Sequence, residues 1–205
     1  MNESYVTFLK TNEEFGGLSN MCGDYFIMIN SVRILSSEHL YQSLKFSENP
    51  EIQKQILSKP SPIVAKMISR KKDHKELIRS DWNEIQLEVM EFCLKTKLIW
   101  NWVKFGNLLR LTEGKTIYEI SSKKDKYWGV IRCDDGFVGE NNLGKLLMKL
   151  RDEFMSDSNE HLRLVTPPEH INLKFLGENI QITDRRNHLQ QAGTRTTGLV
   201  NELKP

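Results

Sequence analysis

The stretch Leu35 to Phe46, LSSEHLYQSLKF, holds three side chains whose types and spacing can do chemistry together: Glu38, Gln42 and Lys45. They stand at i, i+4 and i+7, so on a helix of 3.6 residues per turn a carboxylate, an amide and an amine share one face. Leu40, Leu44 and, more loosely, Tyr41 point away from it. Seven residues at about 1.5 Å each separate acid and amine by about 10 Å along the axis, beyond the reach of a salt bridge. If the two act together, something must lie between them, and a substrate over Gln42 is one candidate. The plainer reading is a capped surface helix. In it Ser36 or Ser37 is the N-cap, the helix dipole favours Glu38 by about 0.3–1 kcal/mol, and Lys45 is an ordinary solvated amine.

The elements that must position these residues follow from periodicity and breakers. Tyr5 to Leu9 and Tyr25 to Leu35 read as short extended segments, joined through the turn-rich FGGLSN, Phe15 to Asn20. The helix that begins at Ser37 should end near Glu48, Asn49 and Pro50, because proline disfavours helical geometry in the residue before it. Glu51 to Leu57 is a short second helix, and a third starts about Ile63 after Pro60 and Pro62. Arg79 to Asp81 precedes a long helical stretch through Lys104, with Ile85, Val89, Phe92, Leu94, Leu98 and Ile99 on its apolar side, and Phe105 to Leu111 continues it. Thr116 to Ser121 and Tyr127 to Ile131 read as strands, CDDGFVGENN as a loop, and Leu143 to Phe154 as a helix. The sum is an α+β fold, a mostly helical single domain with a small β-sheet. From about Ser156 the composition changes; residues 156–205 read as an extension packed on the core, with a plausible strand at Ile171 to Leu176 and a loose terminus.

The whole chain sets limits. Its 205 residues suit one domain, and 39% hydrophobic with 27% charged residues is a globular composition. A net charge of +2 does not announce a duplex-binding or membrane-surface protein. The run Arg70, Lys71, Lys72, His74, Lys75 is locally basic, either a solvated helix end or a phosphate contact. Cys22, Cys93 and Cys133 are odd in number and far apart, which points to a reducing compartment and away from structural zinc. MNESYVTFLK has neither signal-peptide nor transit-peptide character, and no stretch approaches the roughly 20 apolar residues of a membrane span, so the cytoplasm is the expected location.

Four stretches in order, FGGLSN (15–20), SSEHLYQSLKF (36–46), RSDW (79–82) and DKYWG (125–129) with ENNLGKLLMKLR (140–151), resemble the NADAR family over about residues 1–155. The family pattern has an aromatic where this chain has Met21, and a tryptophan where it has Arg33 to Leu35. The resemblance implies a mainly helical α+β fold and an N-glycosidase acting on ribosyl-type substrates. One activity group in the family removes ADP-ribose from modified guanine in nucleic acid. The other hydrolyses early phosphorylated intermediates of riboflavin synthesis.

That chemistry assigns roles. Cleaving a bond between ribose C1′ and a base nitrogen builds positive charge on the sugar and negative charge on the leaving base, so a carboxylate is needed near one and a donor near the other. Glu38 is the first candidate carboxylate and Asp125 the second, unless Asp125 only begins a turn. Lys45 becomes a nucleophile if desolvation or a neighbouring cation brings its pKa from about 10.4 to about 7–8, and it could then pass through a Schiff base; alternatively it orients Glu38 or a phosphate. Trp82 and Trp128 are candidates to stack on base or ribose, against the ordinary core role of tryptophan. Asn20 could bind a ribose hydroxyl or phosphate, or hold its turn. Asn142 could cap the last core helix and turn that helix's N-terminus toward an anion. Arg33 and Arg79 could neutralise pyrophosphate, although Asp81 competes for Arg79.

Three functions stay in competition on these residues: an enzyme removing ADP-ribose from guanine in DNA or RNA, a riboflavin-pathway N-glycosidase, and an ADP-ribose-binding module without turnover. The expected partner is ADP-ribosylated nucleic acid, met transiently as a single strand, or a ribosyl-phosphate small molecule. No metal or cofactor is expected.

Overall fold

The computed structural model describes residues 4–121 and 125–186. In chain order these form β1 (Tyr5–Phe8), a 3-10 turn (Gly16–Leu18), β2 (Ile27–Ile29), β3 (Val32–Ile34), α1 (Ser37–Leu44), α2 (Pro50–Leu57), α3 (Pro62–Ser69) and a second 3-10 turn (Lys72–Leu77). Then come α4 (Trp82–Trp100), α5 (Trp102–Arg110), β4 (Thr116–Glu119), β5 (Ile131–Cys133), β6 (Gly136–Val138) and α6 (Asn142–Met155). The chain continues through a 3-10 turn (Asn159–Arg163) to β7 (Leu164–Val165), β8 (Lys174–Phe175), β9 (Glu178–Asn179) and β10 (Thr183–Asp184). The fold is α+β and mostly helical, as the periodicity implies. Its strands form separate two-stranded pairs rather than one sheet.

α1 is central and buried along its whole length, between α2, α3 and α4. This overturns the surface-helix reading. A helix carrying Ser37, Glu38, His39, Gln42 and Ser43 can be buried because its polar groups find partners inside. Ser36 caps it, its Oγ accepting from His39 N; the His39 ring lies between Ser36 Oγ at 2.8 Å and Lys59 O at 2.9 Å. Burial lowers the pKa of His39 and keeps the ring neutral, the form this pair of contacts suits. Ser43 Oγ donates to Leu40 O. The helix stops at Leu44 rather than Glu48, with Lys45 as its C-cap and turns through Glu48.

The apolar face expected on α4 is buried from Ile85 to Ile99, although Asn101 interrupts the helix before α5. β1 and β4 pair in parallel, Tyr5 opposite Thr116 through Phe8 opposite Glu119. Tyr25 to Leu35 folds as the β2–β3 hairpin, whose two turn residues Asn30 and Ser31 both have positive φ, the twist a tight hairpin requires. Two local readings fail. Tyr127 to Gly129 is a turn, Val130 makes a single bridge to Ile120 and Ile131 opens β5, while the supposed loop at Cys133 is the β5–β6 hairpin. The strand expected at Ile171 to Leu176 shrinks to β8, because Leu176 and Gly177 both adopt positive φ and turn the chain back.

Residues 156–186 pack into the main core through Leu162, Val165, Ile171, Leu173, Phe175 and Ile180. The loose terminus expected after them lies outside the described residues.

Candidate active site

α1, α3 and the first half of α4 enclose a cavity of about 890 Å³ with the Ser19–Met21 turn, the end of β4 and the segment 125–128. Glu38, Gln42 and Lys45 line it from α1 and its C-cap. Glu38 Oε1 accepts from Gln42 Nε2 at 2.8 Å and lies 3.8 Å from Lys66 Nζ; the Glu38 backbone N–H donates to Asn20 O at 3.1 Å. Gln42 Oε1 in turn accepts from Ser69 Oγ at 2.5 Å. Both ends of the Gln42 amide are thus committed, and its role is to fix the Glu38 carboxylate.

Lys45 Nζ stands 5.5 Å from the Tyr41 ring centroid and 5.4 Å from that of Trp82. Burial against these rings is the main cause that brings its pKa down to about 8; Arg70 and Lys66 push the same way and Glu38 opposes. The amine therefore titrates near neutrality. Tyr41 and Trp82 pack at 5.0 Å, and Trp128 meets Tyr41 edge-on at 5.6 Å, so an aromatic wall runs from the amine to the 125–128 segment. Asp125 Oδ1 accepts from Trp128 N at 3.1 Å, which shapes that turn while Asp125 also lines the cavity.

The opposite wall carries a residue that the sequence reading passed over. Glu119, at the end of β4, lines the cavity, and its pKa is raised to about 7. Burial is the leading cause, Glu38 and Asp125 add to it, and Lys66 opposes. Its backbone is held on both sides: the N–H donates to Asn141 Oδ1 at 3.3 Å, and the carbonyl accepts from Val130 N at 2.8 Å. Gly129 is required beside it, since a Cβ there would come within 2.5 Å of Glu119 O. The period-2 signal was present in the sequence: Glu119 shares strand parity with Ile117, the buried residue of β4. Lys66 and Arg70 of the α3 end also line the cavity. Arg70 opens the basic run, so there the phosphate-contact reading coincides with the cavity rim.

Asn20 lines the cavity too; its Nδ2 lies 2.8 Å from Met90 Sδ, and its Oδ1 is buried with no hydrogen-bond partner among the described residues. Met21, where the family pattern has an aromatic, lines the same wall.

Three expected binding residues lie elsewhere. Arg33 is on β3 between Val32 and the buried Ile34, so strand alternation turns it outward, where it stacks on Phe26 at 4.4 Å. Arg79 is forked on Asp81 behind the cavity wall. Asn142 is the first residue of α6, with its Nδ2 on Glu140; the N-cap position belongs to Asn141, whose positive φ lets its amide bridge Ile117 O and Glu119 N. The first α6 N–H groups donate to Tyr127 O and Trp128 O, so that helix end is closed to an anion.

A model of the NADAR domain matches residues 7–155. This chain belongs to the NADAR family. Among its relatives is the chloroplastic riboflavin biosynthesis protein PYRR of Zea mays, 34% identical over an alignment of 167 residues that covers 73% of this chain and 25% of that one. A riboflavin biosynthesis protein of Vibrio vulnificus is 33% identical over 153 residues, 74% of this chain and 39% of that one. The chain thus spans well under half the length of these two relatives. The N-glycosidase YbiA of Escherichia coli is 29% identical over 154 residues, 75% of this chain and 90% of that one. The NMR structure of E. coli YbiA superposes with a TM-score of 0.63 at 27% identity, covering 83% of this chain and 94% of that one. The NADAR match ends where α6 ends, and the site described above lies wholly within it. No helix among the described residues is long and apolar enough to cross a membrane.

Proposed function

We propose that this NADAR protein is an N-glycosidase that hydrolyses the bond between C1′ of a phosphorylated ribose and a base nitrogen. One observation carries the proposal: a carboxyl titrating near 7, Glu119, faces the same cavity as an amine titrating near 8, Lys45, with the Glu38 carboxylate held between Gln42 and Lys66. In the neutral form the Lys45 amine attacks C1′ as the C1′–N bond breaks, and the Glu119 carboxyl gives its proton to the departing nitrogen. The glycosylammonium so formed passes one N–H proton to the ring oxygen as the C1′–O bond opens, which leaves an iminium on Lys45. Water adds to C1′, the C1′–Nζ bond breaks to release the free sugar as its aldehyde, and the proton given up by the water restores the Glu119 carboxyl. Glu38 stabilises positive charge at C1′, while Lys66 and Arg70 receive phosphate.

For the substrate, ADP-ribosylated guanine in DNA or RNA is the first reading, met as a transient single strand. The size of the cavity and the three cations that line it besides the reacting Lys45, namely Lys66, Arg70 and Lys126, suit a pyrophosphate better than a single phosphate. The second reading is a phosphorylated ribosylamino-pyrimidine of riboflavin synthesis, favoured by the names of the maize and Vibrio relatives.

The test incubates the protein with an ADP-ribosylated guanine oligonucleotide and, separately, with the ribosylamino-pyrimidine phosphate, each with and without borohydride. Release of ADP-ribose or ribose phosphate chooses the substrate, and a reduced adduct on Lys45 by mass spectrometry establishes the covalent route. Turnover without an adduct assigns the attack to water with Glu38. Binding without cleavage of either substrate overturns the enzyme reading and leaves a binding module.

A further inference from the structure

Residues 156–186 lie beyond the part of the chain that matches the family model, yet they reach the wall of the cavity that carries Lys45 and Trp82 through one side chain. Arg79 is that side chain. Its backbone N–H donates to Lys45 O at 3.0 Å, and its carbonyl accepts from Trp82 N at 3.2 Å. Its guanidinium forks on Asp81, Nε to Oδ1 at 2.6 Å and Nη2 to Oδ2 at 2.8 Å, while Nη1 reaches Ser47 Oγ at 3.2 Å and Asn172 O at 2.9 Å. One residue therefore joins the C-cap of α1, the turn behind it, the start of α4 and the extension.

We propose that Arg79 is a positioning residue and that residues 156–186 act as a clasp, which holds Lys45 and Trp82 in register on one wall of the cavity by fixing the Arg79 guanidinium on Asn172. The carbonyl it grips is itself immobile, because Ile171 and Leu173 on either side are buried in the main core. A second rivet secures the clasp: Gln53 of α2, fully buried, donates from Nε2 to Lys174 O at 2.9 Å and accepts from Leu176 N at 2.6 Å. Lys174 Nζ closes the edge on Glu48 at 3.0 Å, in the turn that follows Lys45. Only a planar fork of donors can serve Asp81, Ser47 and Asn172 together; a lysine at this position reaches one or two of them. The ring of Trp82, 5.4 Å from Lys45 Nζ, keeps water from the amine, so the register of these two residues decides how strongly the amine is desolvated.

The kinetic consequence rests on Lys45 as the reacting amine; the structural one does not. The test follows Lys45 in the full chain by side-chain NMR of labelled lysine during a pH titration. Arg79→Gln is expected to raise the Lys45 midpoint by about one unit or more toward the value of an exposed lysine, and to lower kcat about 100-fold at near-constant KM. Arg79→Lys falls between. Leu173→Ala, in the clasp beside Asn172, moves the midpoint in the same direction. Leu109→Ala on α5, which packs on α6 and the Gly16–Leu18 turn, lowers thermal stability without moving it. A Lys45 midpoint unchanged in both Arg79→Gln and Leu173→Ala overturns the clasp, and so does an equal shift in Leu109→Ala. If Arg79→Gln does not fold, Leu173→Ala against Leu109→Ala decides. Absence of glycosidase activity in the wild type would sink the proposed function and leave the NMR result standing.

Discussion

Replacing Glu119 by glutamine separates two mechanisms that give the same pH profile. If Glu119 must be protonated and Lys45 neutral, midpoints of about 7 and 8 mean that at pH 7.5 each group is in its working form in only about a quarter of molecules. The pair is then correct in about 6%, at the top of a bell. With the roles reversed, Glu119 a carboxylate base and Lys45 an ammonium, the bell has the same limbs and over half of the molecules are competent. Glutamine keeps the shape and removes the proton. On the first mechanism it deletes the alkaline limb, so residual activity, lower by about 10²–10⁴-fold, climbs with pH and levels off above 8 as Lys45 deprotonates. The charges acting on Lys45 are those of Glu38, Arg70 and Lys66, so the remaining midpoint should stay near 8. The assay is kcat/KM for sugar release from pH 6 to 10 in wild type and variant. Residual activity that falls through pH 8 would refute the assignment of Glu119 as the acid and Lys45 as the nucleophile.

Three further outcomes follow from the site. Arg70→Ala should raise KM about 10-fold or more for the phosphorylated substrate and leave the KM of the dephosphorylated analogue unchanged, as steady-state kinetics on the matched pair will show. Gln42→Leu removes the amide that donates to the buried Glu38 carboxylate and leaves that carboxylate, among the described residues, only Lys66 at 3.8 Å, which should destabilise the fold by about 1–3 kcal/mol in urea denaturation and lower kcat with it. Lys97, fully buried with Nζ on Gly17 O and Ser19 O, has its pKa pushed down to about 7 by burial. The native state therefore sheds a proton that the unfolded chain still binds. Stability should rise with pH from about 7 toward 10.5, by up to about 1.4 kcal/mol per unit, and level off below about 7, where both states bind the proton; Lys97→Met should abolish that slope in denaturation midpoints measured across the window.

The helix that carries Glu38, Gln42 and Lys45 was legible in the sequence by spacing, and its burial was not. Hydrophobic periodicity finds α4 and α6 because their buried positions are apolar, whereas α1 buries serines, a histidine, a glutamine and a glutamate, which read as surface. Their burial depends on partners 20 or more residues away, such as Ser69 for Gln42 and Lys59 for His39. Glu119 went unseen because a carboxylate in a short strand resembles a solvent-facing residue; only its parity with Ile117 gives it away. Tyr127 to Ile131 looked extended because its aromatic and β-branched residues suit a strand. Its first part turns because the Asp125 side chain takes up the Trp128 N–H that a strand partner would have taken. Arg79 illustrates the opposite error: an arginine near a recognised motif suggests an anion, and its anion is Asp81.

The positions of Glu38 and Lys45 on one helix also limit what the helix can do. Displacement at C1′ requires a group on the side where the base departs and another on the side where the nucleophile arrives, and residues on a single helical face cannot occupy both. The space over Gln42 does not provide the second side, since its amide is fully engaged with Glu38 and Ser69. The second side must come from across the cavity, where β4 ends. There Asn141 and Gly129 hold the Glu119 backbone, and the neighbouring Glu38 and Asp125 charges help keep its proton on near neutral pH. Glu38 thus tunes both walls: it raises the pKa of Glu119 while resisting the fall of that of Lys45. Neutralising Glu38 should therefore move both midpoints downward together, a correlated shift that ties the two walls to one carboxylate.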